Sequence, residues 1–295
     1  MRSDSENRAQ IVRWGAQHDS VRAMLLTSTR AIPNAKPDIF SDYDVILVLT
    51  DIHPFAEDRD WLEDFGHVLT LYCDPILRDG DFERSGNVVQ FEDGLKIDFT
   101  LWPIGLMQRI VSEPQLPNEL DAGYQLLLDK DHLTDGLKPP TYKAYIPTPP
   151  TQRAYREHIE DFFLVAIYVA KYLWRDDLIA AKHLMDAAIL HEHLLPMLQW
   201  QVEIRQQWTL KMIIYGRGLK KWLPADLWAE LENTYTGGGI EANWDALFRS
   251  IELFRHLSIE VGEHLGYPYL TDLDQRTIAY IQKVKQTDRD AASFS

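Results

Sequence analysis

The spacing of apolar positions changes character near the middle of the chain. Before about residue 137 the apolar runs are short and bounded by turn residues. "VRAMLLTS" (21–28), residues 43–50 and "HVLTLYC" (67–73) read as strands, with Pro33, Asn34 and Pro37 marking a loop after the first. Residues 5–17 read as a helix with Ile11, Val12 and Trp14 on its apolar side, and 56–65 as a second, short helix. "NVVQFEDGLKIDFTLW" (87–102) reads as a hairpin, because Asp93-Gly94 lies between two strand-like runs and favours a tight primed turn. Five prolines between Leu137 and Gln152 exclude a helix there and predict an extended connection. Beyond it the period becomes helical: Phe162, Val165, Ala166, Val169, Ala170 and Leu173 recur at three-and-four spacing, and further helices are expected over 177–206, 224–234, 243–265 and 272–285. The expected fold class is α+β. A mixed β-sheet domain with flanking helices, residues 1–147, precedes an all-helical domain, 148–295.

Composition narrows the partners. Lys and Arg number 30 against 45 Asp and Glu, a formal charge of −15 that repels nucleic acid and attracts cations. The longest apolar run, Phe162–Ala170, is about half a membrane span, and "MRSDSENRAQ" holds no apolar signal core. With one cysteine, Cys73, a cytoplasmic protein without disulfides is expected, as a monomer or small homo-oligomer.

The chemistry sits at the entrance of the second strand. In "SDYDVILVLTD" (41–51), Asp42 and Asp44 project to one side, because strand side chains alternate. In the hairpin, Lys96, Asp98 and Thr100 share one face, and Ile97, Phe99 and Leu101 the other. If the two strands are neighbours, three carboxylates converge on one sheet edge. Such a set repels itself unless a cation lies among it, and hard oxygen donors suit Mg²⁺. His191-Glu192-His193 is not a zinc motif, since helix residues two apart point to different sides.

The order of segments carries a resemblance. A strand, the hydroxyl-rich turn Ser28-Thr29-Arg30, a loop, D-x-D and a later third Asp resemble the nucleotidyltransferase superfamily of DNA polymerase beta. "FSDYDV", "LTDIHPF", "DWLEDFG", "FEDGLKIDFTLWP", "LLLDKD" and "YVAKYL" together resemble the aminoglycoside 6-adenylyltransferases, the streptomycin-modifying branch, over nearly the whole chain. That resemblance implies Mg²⁺-dependent transfer of AMP from ATP to an aminoglycoside hydroxyl, with release of pyrophosphate. It implies metal ligation by Asp42, Asp44 and Asp98, with Asp98 helping to deprotonate the acceptor. Ser28, Thr29 and Arg30 would meet the nucleotide phosphates, Arg30 through its guanidinium fork, and Lys171 would reach the triphosphate. Asp161, where the family has glutamate, is the first choice for a carboxylate that binds the cationic acceptor. The family turn is Gly-Ser, whereas this chain has Ser28-Thr29, so a Cβ stands where glycine lets backbone approach phosphate. Two alternatives stand beside this reading: another small hydroxylated acceptor, or a nucleotide-binding module without turnover.

Overall fold

A computed structural model describes residues 2–211, 214–291 and 293. The chain divides into two compact units, Met1–Tyr145 and Ile146–Ser295.

The first unit opens with α1 (Asp4–Gln17), whose start is fixed by a capping box: the Ser3 hydroxyl accepts from the Glu6 N–H while Glu6 reaches back to the Ser3 N–H. Then come β1 (Val21–Thr27), a 3₁₀ turn (Ser28–Ala31), β2 (Tyr43–Leu49) and α2 (His53–Glu57). The strands β3 (Val68–Cys73), β4 (Leu77–Asp79), β5 (Phe82–Phe91) and β6 (Lys96–Pro103) follow, and α3 (Ile104–Ser112), α4 (Asn118–Asp121) and β7 (Tyr124–Asp129) complete it. The sheet runs β3-β5-β6-β2-β1-β7, with β4 paired to β5. It is mixed, since β2 and β6 are parallel and the other pairs antiparallel.

Strand alternation builds a core on each face. Tyr43, Val45, Leu47, Ile97, Phe99 and Leu101 pack with Ile11 and Trp14 of α1. Ile46, Val48 and Trp102 pack with Leu106, Met107 and Ile110 of α3 on the other side. Both central strands are therefore buried on both faces, as their near-continuous apolar runs require.

Two local expectations are corrected. Residues 56–65 are not one helix: α2 ends at Glu57, and a separate 3₁₀ helix spans Asp60–Phe65. The Asp58 carboxylate accepts from the Asp60 N–H at 3.0 Å, a local turn that competes with continued helix. The β5–β6 connection is not a two-residue primed turn. The Gly94 N–H donates to Phe91 O and the Phe91 N–H to Leu95 O, with Gly94 at φ 90°, which is a three-residue loop ending in a glycine bulge.

In the second unit every element among the described residues is helical: α5 (Gln152–Trp174), α6 (Leu178–His183), a π-helical stretch (Leu184–Leu194), α7 (Leu195–Arg205), α8 (Ala225–Glu232), α9 (Ile240–Leu265) and α10 (Thr271–Gln286), with short 3₁₀ turns between α7 and α8. Thr151 caps α5 through the Ala154 N–H, directly after Pro149 and Pro150. Phe162 of α5 stacks on Phe254 of α9, ring centroids 3.7 Å apart, at the centre of this core. Gly237–Gly239 break the chain between α8 and α9, where the Asn243 side chain bonds the carbonyls of Gly237 and Gly239.

Candidate active site

Parallel pairing of β2 with β6 decides which carboxylates meet. Asp44 and Asp98 are register partners on adjacent strands, and Thr27 is the partner of Asp44 on β1. Asp42 lies two residues before Asp44 on the same side. The expected convergence of the three is therefore present at the start of β2.

A fourth residue stands among them, to which the sequence reading gave no role. Lys96 Nζ donates to Asp42 Oδ2 at 2.6 Å and to Asp98 Oδ2 at 3.0 Å, and lies 2.9 Å from Asp98 Oδ1. Its position two residues before Asp98 puts it on the same strand face, and that spacing was the available signal. Burial alone would lower the Lys96 pKa, but the hydrogen bonds and charges of Asp42 and Asp98 raise it, so it is a cation.

The carboxylates differ in their surroundings. Burial, then the charges of Asp98 and Asp42, push Asp44 up to about 6, against a hydrogen bond from the Ser28 hydroxyl and the attraction of Lys96. Burial also raises Asp98, with Lys96 opposing. Its Oδ1 is closed to water and accepts no directed hydrogen bond. Among the described residues no three His, Cys, Asp or Glu side chains are gathered as one ligand shell. The donor chemistry nevertheless fits a hard divalent cation: oxygen donors only, one of them closed to water and without a directed hydrogen bond, held at a cost in repulsion.

The turn that precedes them is shaped around its unusual residue. Ser28 has φ +57°, the left-handed conformation that costs most residues about 1–2 kcal/mol and glycine almost nothing. Ser28 thus takes up a glycine-type backbone, and its hydroxyl bonds to Asp44. Thr29 is exposed beside it.

Arg30 differs from expectation. Its Nε donates to Asp42 O at 3.0 Å, Nη2 to Ser41 O at 2.7 Å and Nη1 to Asp4 Oδ1 at 2.8 Å, with the guanidinium 4.0 Å from the Tyr43 ring centroid. The side chain is 9% exposed. The fork that was expected to meet a phosphate instead ties the backbone of the D-x-D loop to α1. Asp4 is shared with Arg8 and the Tyr43 hydroxyl, and these hydrogen bonds and charges outweigh burial and hold its carboxyl below the usual range.

Two further candidates lie on α5. Lys171 is half-buried, 5.8 Å from the Tyr280 ring centroid, and lines a cavity of ≈ 290 Å³ with Trp174 and Arg175. Asp161 is exposed, with Oδ2 3.6 Å from Nε2 of His193. His193 is buried, and burial, then the neighbouring His158, push it down to about 4, so it meets Asp161 as a neutral ring. His191 is exposed, as expected for histidines pointing apart. Cys73 is half-buried and free.

The family model described as streptomycin adenylyltransferase matches residues 1–284. The chain belongs to the streptomycin adenylyltransferase family. It is accordingly a nucleotidyltransferase. An aminoglycoside 6-adenylyltransferase of Bacillus subtilis (strain 168) is 30% identical over 293 residues, covering 96% of this chain and 98% of the relative. One from Campylobacter jejuni is 29% identical, covering 97% of each. The crystal structure of an aminoglycoside 6-adenyltransferase from Bacillus subtilis aligns with 97% of this chain and all of its own, at 26% identity and a TM-score of 0.48. Among the described residues no helix is long and apolar enough to cross a membrane.

Proposed function

We propose that this protein transfers AMP from ATP to a hydroxyl of an aminoglycoside, streptomycin being the first acceptor to test, and releases pyrophosphate. The observation that carries the reading is the in-register meeting of Asp44 and Asp98 across β2 and β6, beside Asp42, in a chain of this family. Asp42, Asp44 and Asp98 would hold Mg²⁺, which neutralises charge on the phosphates and makes a bound hydroxyl more acidic. Asp98, with its raised proton affinity, accepts the proton of the acceptor hydroxyl. The acceptor oxygen forms its bond to the α-phosphorus as the bond to pyrophosphate breaks. Arg30 keeps the D-x-D backbone fixed through the carbonyls of Ser41 and Asp42. Ser28 orients Asp44, Thr29 offers a hydroxyl to the phosphates, and Lys171 adds a cation for the nucleotide. Asp161 is the carboxylate for the acceptor's positive groups, in keeping with the acidic chain, and the reaction would take place in the cytoplasm.

Pyrophosphate release from Mg-ATP with a panel of aminoglycosides tests this. Release with streptomycin, and a product heavier by one adenylyl group, are expected. Asp161→Asn should raise the acceptor KM while leaving that of ATP near wild type. Release with a non-antibiotic acceptor alone would correct the substrate. ATP binding without release under any condition would refute the enzymatic reading.

A further inference from the structure

Lys96 is a cation placed on the oxygens that a metal would need. Its ammonium sits 2.6 Å from Asp42 Oδ2 and 2.9–3.0 Å from both oxygens of Asp98, while Asp44 takes its hydrogen bond from Ser28 instead. All three members of the bridge are about one-third exposed as side chains, with Asp98 Oδ1 itself closed to water. Asp42 and Asp98 can ligate a divalent ion only by displacing this ammonium or by holding the ion against its positive charge, so Lys96 opposes the ion in either case. The lysine stem is flexible, and its ammonium can swing aside without disturbing the strand.

We propose that Lys96 is an internal counter-cation that competes with the divalent metal for Asp42 and Asp98, and so sets the metal affinity of the site. The inference rests on the reading of Asp42, Asp44 and Asp98 as metal ligands. It assigns Lys96 a positioning role with two parts. Without metal it suppresses the mutual repulsion of the carboxylates. Toward metal it acts as a threshold, so that the site does not fill at low ion concentration. A phosphate-bearing substrate would lower that threshold, because its oxygens give the displaced ammonium a new partner.

The test is Mn²⁺ binding without nucleotide, followed by electron paramagnetic resonance of free Mn²⁺, for wild type, Lys96→Met and Lys96→Arg. Methionine keeps the bulk of the stem and loses the charge, whereas arginine keeps the charge. Lys96→Met should bind Mn²⁺ more tightly, on the order of tenfold for two partly exposed charge pairs, with Lys96→Arg near wild type. Lys96→Met should also melt at lower temperature in chelator, and Mn²⁺ should raise its melting temperature more than that of wild type. Unchanged or weaker binding in Lys96→Met would overturn the proposal and leave the metal site standing. Equal tightening in both variants would also overturn it, since charge would not be the cause. If neither wild type nor Lys96→Met binds Mn²⁺ at millimolar concentration, the metal assignment fails and the proposal with it. Should methionine prevent folding, Lys96→Gln carries the same comparison.

Discussion

Asp44 is the carboxylate that the fold tolerates least, and its removal should stabilise the protein. Its ordinary value of 3.8 is pushed up to about 6, first by burial and then by Asp98 and Asp42. The folded state therefore binds this proton more tightly than the unfolded state does. Stability from this group is highest below 3.8 and falls as pH rises through the window from 3.8 to about 6. Above that window the ionised carboxylate costs about 3 kcal/mol relative to an unperturbed one. Asp44→Asn removes the charge and keeps the shape, and its amide oxygen can still accept from Ser28. Allowing for the amide's own desolvation, a gain of about 1–3 kcal/mol is expected at pH 7.5. For a unit of this size that corresponds to a rise in Tm of roughly 3–10 °C.

The assay is thermal or urea unfolding of wild type and Asp44→Asn in chelator, between pH 4 and 8. Titrating groups remote from the site act alike on both proteins, so the difference between them reports Asp44 together with its coupled neighbours Asp98 and Asp42. The gap should be widest above pH 6.5 and close toward pH 4, where wild-type Asp44 is protonated. Transfer activity should be abolished throughout. A variant no more stable than wild type at pH 7.5, or a gap independent of pH, would refute the electrostatic account.

Two further outcomes follow from the turn beside this site. Arg30→Met leaves the carbonyls of Ser41 and Asp42 and the Asp4 carboxylate short of a donor, so a loss of about 2–4 kcal/mol in urea unfolding is expected; kcat should fall with little change in the KM for ATP, whereas a rise in that KM alone would return the guanidinium to a phosphate. Ser28→Ala keeps a Cβ at φ +57° and loses the hydroxyl, so it should be less stable than Ser28→Gly by about 1 kcal/mol; equal stabilities would show that the turn is not strained.

What could be read from the sequence was whatever depends on period. Asp42, Asp44 and Asp98 were found because a strand alternates, and the apolar runs of β2 and β6 were long enough to show it. The helices of the second unit followed from three-and-four spacing for the same reason. The edge strand β7 was missed because its six residues show no clean alternation of burial. The role of Arg30 was hidden because its partner Asp4 lies 26 residues earlier, on an element that only tertiary packing brings near. The break between α2 and the following 3₁₀ helix turned on one side-chain hydrogen bond from Asp58, which composition does not reveal. Lys96 had a position but no role, because an external cation is enough to account for carboxylates gathered at a strand entrance, and only the folded geometry brings the ammonium onto them.

This internal cation bears on why two carboxylates can stand at the mouth of a buried strand. Asp42 and Asp98 share an ammonium, whereas Asp44 has a hydroxyl for a partner and the deepest burial of the three. Three carboxylates and one ammonium leave a charge of −2 at the site when all are ionised. The lysine lowers the repulsion enough for the sheet to form, and the residual negative charge still attracts a dication. A second lysine in place of Ser28 would neutralise more of that charge and remove the reason for an ion to bind. A glycine there would leave Asp44 without its hydrogen bond. Serine with a glycine-type backbone satisfies both requirements: the chain makes its left-handed turn, and the carboxylate that meets the most repulsion keeps one donor beside it.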